Sequence, residues 1–417
     1  MTKGDKKRVA VIGGGAAGML AAGRIARGGC FVTLFERNSL LGKKLGITGK
    51  GRCNLTNDVP PEDFMKNVTK SGKFLFSAIN HFSCRDTMDF FSSLGVKLKV
   101  ERGSRVFPES DKAVDVVLAL KKYLVDAGVE IKTERVTSLK AYNGKVTEIV
   151  TERSKYTGYD DVLLCTGGAS YPLTGSTGDG FDLARALSHT VTEIMPSLVG
   201  LWSEDKLCRD TQGLSLKNVA IKVYDNEKSK VIYEDFGEML FTHFGVSGPM
   251  ILSASAHTRP MEKGRYTVFI DLKPALTPEQ LDARVLSDFD KYKNKNFENS
   301  LTDLFPSKLV RPFIYMCGIA PDRKVNSITR AEREKIVSTM KALPVVISGF
   351  RPIDEAIVTS GGVETKEIDP KTMRSKLIPN LYFAGEIIDV DAYTGGFNLQ
   401  IAFSTAVTAA DAIIGKK

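Results

Sequence analysis

Four stretches of this 417-residue chain carry residue types suited to gripping a phosphate ester and a polar ring. In the first, Gly13, Gly15 and Gly18 stand in G-x-G-x-x-G spacing, with Ala16 and Ala17 between them. Gly13 suits a tight turn and Gly15 lets backbone approach a pyrophosphate. Gly18 lets a helix pack closely on a strand, and the free N–H groups of that helix face the phosphates. Glu36, eighteen residues beyond Gly18 and followed by Arg37, stands where an acceptor for adenosine ribose hydroxyls belongs. The second stretch is "GKKLGITGKGRCNLTN", in which Gly42, Gly46, Gly49 and Gly51 alternate with Lys43, Lys44, Lys50 and Arg52. It reads as a second anion-binding loop, with Thr48, Cys53 and Asn54 able to offer polar contacts; the alternative is a flexible basic surface loop. The third is "DDVLLCTGGASYPLTGSTGDG", where Thr166-Gly167-Gly168 turns at a strand end and brings backbone to a ligand at the carboxyl edge of a sheet. The fourth is "NLYFAGEIIDVDAYTGGFNLQIAFSTAVTAADAI", with Gly385-Glu386 after a strand and Gly395-Gly396-Phe397-Asn398 opening an alanine-rich helix.

Groups able to move a proton are scarcer. Of the four histidines, His81, His189, His243 and His257, the first choice as acid or base is His243, in the glycine-containing turn "FTHFGVSGP". Ser247, Tyr171, Asp391 and Tyr393 are lesser candidates, each with a hydrogen-bonded structural role as its alternative. The six cysteines, Cys30, Cys53, Cys84, Cys165, Cys208 and Cys317, show no C-x-x-C spacing, so neither a zinc site nor a dithiol centre is expected. No spacing supports any other metal, and no nucleophile elbow supports Ser-His-Asp catalysis.

The elements that must position these residues follow from pattern. Val9 to Ile12 and Phe31 to Phe35 read as β-branched strands flanking a helix, a βαβ unit ending in Glu36. Further strands are expected at Val129 to Thr133, Val162 to Cys165 and Leu381 to Ala384, with a helix from about Asn398. Between the strands near 133 and 162, "VTSLKAY" and "KVTEIVTE" flank Asn143-Gly144, a hairpin signal that predicts a β-meander crossover. From Glu193 the texture changes to "NVAIKVYD", "KVIYED", "MLFTHFG", "RYTVFIDL" and "LPVVISGF", an antiparallel pattern. Thr277-Pro278-Glu279-Gln280 and Thr329 with Glu332 read as capping boxes of helices within 275–340. The expected fold class is therefore α/β, with a discontinuous Rossmann-like domain at 1–192 and 352–417, a β-rich insert at 193–274 and 341–351, and a helical subdomain at 275–340. A net charge of +9 would suit a polyanion, but the basic residues are scattered and the longest run is Lys6 to Arg8. Nucleic acid is not the favoured partner. No run of about eighteen uninterrupted apolar residues predicts a membrane span, and the irregular cysteines suit a reducing cytoplasm.

The glycine fingerprint alone does not separate NAD from FAD. Together the motifs resemble the FAD superfamily typified by glutathione reductase. Within it, "GKGRCNLTN", "CTGGASYPLTGSTGDG", "FTHFGVSGP", "TSGGV" and "LYFAGEIIDVDAYTGGFNLQ", in that order, resemble the bacterial flavoproteins of the HI0933-like family over nearly the whole chain. That family has members described as aminoacetone oxidases and as bile-acid dehydro-reductases. The resemblance implies FAD as cofactor, with the loop of Lys44, Thr48, Gly49, Gly51, Arg52, Cys53 and Asn54 lining its flavin half. It implies Glu386 as the ribityl-binding acid, with Asp389 in reserve, and Val136 as an adenine contact. Gly396, Asn398, Leu399 and Gln400 then bring a helix N-terminus to the flavin, beside Gly385. No second Rossmann unit is present in the sequence pattern, so NAD(P)H, if it reduces the flavin, docks transiently. The implied activity is an FAD-dependent oxidoreductase acting on a small organic substrate. An RNA-modifying flavoprotein and a non-catalytic flavin sensor stay open beside it, as does the oligomeric state.

Overall fold

The structure is a computed structural model that describes residues 6–416. It divides into two compact units: one runs to Ser197 and resumes at Ile353, and the other is Leu198–Pro352.

The first unit is built on a parallel sheet. Its strands are β1 (Arg8–Ile12), β2 (Phe31–Glu36), β3 (Glu130–Thr133), β4 (Asp161–Leu164) and β5 (Leu381–Phe383). They lie in the order β5-β4-β1-β2-β3, all parallel. Val9, Ala10, Val11 and the whole of β4 are buried, as a strand covered on both faces requires. Each Val or Leu among them contributes about 1.5–3 kcal/mol on burial. The helix α1 (Ala16–Arg27) follows β1 and packs beneath the C-terminal helix, Phe397–Ile414. Polar ties fix that pairing: Arg24 donates to both carboxylate oxygens of Asp411 (2.7 and 2.8 Å), and Lys7 Nζ donates to Ile413 O (2.8 Å). By length and composition the C-terminal helix could cross a membrane, but 72% of it is buried within the protein, as a core helix.

Between β3 and β4 the chain makes an antiparallel meander of three strands, Val136–Tyr142, Lys145–Thr151 and Lys155–Thr157. Asn143 and Gly144 both take positive φ (49° and 72°), the geometry that a two-residue hairpin turn demands. The third strand was not expected from the sequence; at three residues it is too short to show a period.

The second unit centres on a seven-stranded sheet. Its long strands Ser215–Asp225 and Lys230–Thr242 pair antiparallel, flanked by Tyr266–Asp271 and Leu343–Ile347. Helices Pro278–Lys291, Ser307–Cys317 and Arg330–Lys341 fill the interval between Tyr266–Asp271 and Leu343–Ile347. Both expected capping boxes form, at Thr277 with Gln280 and at Thr329 with Glu332. The sequence pattern set 275–340 apart as a helical subdomain. In the structure Leu281, Val285, Phe313 and Ile336 share one buried cluster with Ile221, Val268 and Val345 of the sheet.

Candidate functional site

A cavity of about 370 Å³ opens along the carboxyl edge of the parallel sheet, and every residue lining it belongs to the first unit. Its lining comes from the β1–α1 turn, the end of β2, the loop 42–54, the start of the meander, the turn after β4, and the segments 384–386 and 393–402. Carboxyl edges collect ligands in such folds because the helices that follow the strands start there.

Two helix N-termini meet this cavity. Helix α1 starts at Gly15 and the C-terminal helix at Gly396; neither has a side-chain cap or an acid in its first turn. Gly15, Ala16 and Ala17 line the cavity at the first, and Gly396, Asn398 and Leu399 at the second. Uncapped first-turn N–H groups and the positive dipole ends make both places favourable for anionic or carbonyl oxygen. Gly18 lies outside the lining. A Cβ there would come within 1.8 Å of Gly13 O, so its glycine serves the helix–strand contact. At Gly15 a Cβ would meet nothing within 4 Å, so that glycine leaves space in the cavity itself.

Glu36 closes the far end. It is buried; Oε2 accepts from Gly14 N (2.7 Å), and Oε1 accepts from the Asn38 backbone and side-chain amides (2.8 Å each). Beside it, Arg37 donates to Thr177 Oγ1 (2.6 Å) and Asp179 (3.1 Å), and Arg135 also pairs with Asp179. Burial works to raise the Asp179 carboxyl, but the Thr177 hydroxyl and Arg135 outweigh it and hold it below the ordinary range. Val136 lines the same end.

The loop 42–54 has a strained course. Gly49, Lys50 and Gly51 take successive positive φ (57°, 58° and 83°), as does Cys53 (61°). For Lys50 and Cys53 this costs on the order of 1 kcal/mol each, sustained by ties to the C-terminal segment. Asn54, with its amide set by its neighbours, accepts from Gly396 N (3.0 Å) and donates to Thr56 O (3.1 Å). Thr56 Oγ1 donates to Gln400 Oε1 (2.6 Å) and Asn57 Nδ2 to Gly395 O (3.0 Å). Lys44, Thr48, Gly49 and Asn54 line the cavity; Gly51, Arg52 and Cys53 do not. Arg52 turns away to Glu101 and Asp111 and stacks over Phe107 (4.2 Å to the ring centroid), which corrects the expectation that it neutralises a ligand. Cys53 is fully buried, and burial pushes its thiol up to about 12, too high for a thiolate that could tether or reduce anything.

At the turn after β4, Thr166 and Gly167 line the cavity. Thr166 Oγ1 is buried without a hydrogen-bond partner, a vacancy that a ligand oxygen or nitrogen would satisfy. Gly168 is packed instead against Thr359 and Glu386. From the C-terminal segment Gly385 and Glu386 line the cavity, whereas Asp389 is buried in an ion pair with Lys70 (2.7 Å) and Gln400 is buried against Thr56 and Ser404. Asp389 and Gln400 thus hold the wall rather than face the cavity.

Among the residues considered for proton transfer, Tyr393 lines the cavity, next to Thr394 and Gly395. Asp391 is buried and accepts from Thr69 Oγ1 (3.1 Å). Tyr171 lies in the loop beyond Gly168, its carbonyl accepting from Thr174. His243 and Ser247 belong to the second unit: His243 is exposed at the turn from Lys230–Thr242 into Gly245–Ser247, edge-on to Phe244 (5.2 Å). Sequence reasoning missed Asn38, Arg135, Thr177 and Asp179 at the cavity's far end, and Ile357 and Val358 on its wall. Only the glycines of "GSTGDG" hinted at the first group, and no local pattern marks the second.

The residues fit a dinucleotide with a polar ring system: two uncapped helix starts, a buried carboxylate at one end, an unsatisfied hydroxyl midway, and a strained glycine loop along one side. A family model described as the HI0933-like protein Rossmann domain matches residues 7–412. A 3-dehydro-bile acid delta(4,6)-reductase of Clostridium scindens is 32% identical over 410 residues, covering 96% of this chain and 98% of the relative. A ribosomal RNA dihydrouridine synthase of Haemophilus influenzae is 29% identical over 410 residues, covering 96% of each. The crystal structure of a 3-ketosteroid-delta4-(5alpha)-dehydrogenase from Rhodococcus jostii RHA1 shares the fold, with a TM-score of 0.54, 14% identity, and coverage of 99% of this chain and 98% of that one.

Proposed function

Because the chain belongs to the HI0933-like protein family, we propose that it is an FAD-dependent oxidoreductase that reduces an activated carbon–carbon double bond in a small organic substrate. The observation that carries the cofactor is the meeting of two uncapped helix N-termini in one cavity that ends at the buried Glu36. FAD bound there would supply the hydride chemistry; the chain supplies position, charge and exclusion of water. Gly15, Ala16 and Ala17 would hold the pyrophosphate, and Glu36 the adenosine ribose. Thr166, Asn54 and the start of the C-terminal helix would surround the flavin half. Tyr393 is the candidate proton donor that lines the cavity from which a substrate would be reached, whereas His243 is proposed from its motif alone and belongs to the other unit. The bond type rests on the relatives: a delta(4,6)-reductase and a dihydrouridine synthase are both named for adding hydrogen across a carbon–carbon double bond.

The electron source is proposed as NAD(P)H docking transiently, with oxidation of the substrate as the alternative. Anaerobic stopped-flow mixing of the purified yellow protein with NADH and NADPH decides between them. Rapid bleaching supports a reductase; absence of bleaching with either nucleotide removes that half-reaction. A second reading, reduction of a nucleobase in RNA, is favoured by the dihydrouridine synthase relatives. Co-purifying absorbance at 260 nm that ribonuclease and salt remove would support it. Turnover of a 3-oxo-4,6-diene steroid, with none on ribosomal RNA transcripts, would exclude it.

A further inference from the structure

Resting on the FAD reading above, we propose that Glu386 is a positioning residue that acts through Lys44, and that the charge this cluster presents to the cofactor is the lysine's. The family resemblance gives Glu386 the opposite part, an acid offered to the ribityl chain.

The hydrogen bonds point to the inversion. Glu386 Oε2 accepts from Lys44 Nζ (2.7 Å), and Oε1 accepts from Thr359 N (2.8 Å) and, more weakly, from Ser170 Oγ (3.4 Å). Both carboxylate oxygens thus already have protein partners, and Oε1 has two. Lys44 Nζ also donates to Ser170 Oγ (2.8 Å). An ammonium has three N–H donors and two are spent, which leaves one for a ligand, and Lys44 lines the cavity. The pair is largely shielded, with side-chain exposures of 23% and 20%. In that setting a charge-assisted bond is stronger than at an open surface.

Steric detail supports an arm built for this purpose. A Cβ on residue 168 would sit 2.8 Å from Glu386 Oε1 and 2.3 Å from Thr359 Oγ1, so Gly168 clears the path of the carboxylate. An aspartate would be shorter by one methylene, about 1.5 Å, and could not reach Lys44 and Thr359 N together. The glutamate therefore ties the loop 42–54, the turn after β4 and the segment 357–360 into one cluster, with Lys44 Nζ at its centre.

The test is titration of FAD into deflavinated protein, followed by spectroelectrochemistry of the bound flavin. Lys44→Met should weaken FAD binding about tenfold, the loss of one charge-assisted bond, and lower the flavin midpoint potential, since a cation that favours the electron-rich form is gone. Lys44→Arg should restore most of the potential. Glu386→Gln should lower the potential in part, because the lysine is then held less firmly at the cavity, and in the Lys44→Met background, with no lysine to hold, it should lower it no further. A potential unmoved by Lys44→Met, or not lowered by Glu386→Gln, overturns the proposal while leaving FAD binding in place. Failure of the unaltered protein to bind FAD overturns both this inference and the function it rests on.

Discussion

Glu36 has two duties, and they can be separated by substitution. Its Oε2 satisfies Gly14 N, so Glu36→Ala strands a buried donor at a cost of about 1–3 kcal/mol as well as removing the ribose acceptor. Glu36→Gln keeps an oxygen for Gly14 but not the charge. We expect the alanine variant to lose both thermal stability and FAD on purification, and the glutamine variant to lose chiefly FAD; equal flavin content in all three proteins would end the ribose assignment. Cys53 makes a contrasting case. With its thiol buried and pushed up to about 12, it stays protonated at neutral pH, and mass spectrometry after native alkylation should find it unmodified while the half-buried Cys30 reacts. From sequence, Cys53 and Arg52 looked like ligands because the loop's glycines advertised a binding site. What could not be read was direction: Arg52 has Glu101 and Asp111, both about fifty residues or more distant in sequence, to draw it away. Lys44 and Glu386 show the same limit, since a bond between residues 342 apart leaves no local trace.

At the scale of elements, the β1–α1 turn separates a packing glycine from a ligand glycine. Gly18→Ala would drive a methyl into Gly13 O, and should cost more than about 2 kcal/mol. Gly15→Ala places its methyl in open space at φ −83°, so stability should change by less than about 0.5 kcal/mol while FAD binding falls. Denaturant melts of the two deflavinated variants, beside FAD titrations, check both halves; a stable Gly15→Ala protein with undiminished affinity would argue against a pyrophosphate at this turn. The parallel strands were legible because β1 and β4 are short apolar runs beside glycine turns, and the Asn143-Gly144 hairpin because both residues accept positive φ. The helix Ser307–Cys317 lies inside the segment 275–340 read as helical, but its own bounds could not be placed, for it carries Pro312 in its interior and lacks the capping signals of its neighbours. Its place is set by tertiary burial of Leu309, Phe313 and Ile314.

Taken as a whole, the first unit is a closed circuit, with β5 and the C-terminal helix completing a sheet begun at β1. Asp411 is the buried pin of that closure, held by Arg24 and by His81 Nε2 (2.8 Å). Burial alone would raise its carboxyl, but the hydrogen bonds from Arg24 and then His81 prevail and hold it below the ordinary value near 4. Its contribution is therefore fully present above that value and is lost as pH falls through the lowered one. Asp411→Asn should destabilise the protein by about 3 kcal/mol at neutral pH. Melts from pH 7 to pH 3 should show the gap to the parent narrowing only at the acid end; a constant gap would mean that the charge is not what holds the helix. The same closure has a consequence for biosynthesis. A ribosome delivers Leu198–Pro352 before β5 exists, so the nascent chain carries that unit ready to fold while the earlier strands wait with one margin of their sheet bare. Coenzyme capture then waits until the helix Phe397–Ile414 has emerged, and a message truncated before codon 381 would yield a product that is colourless and prone to aggregate.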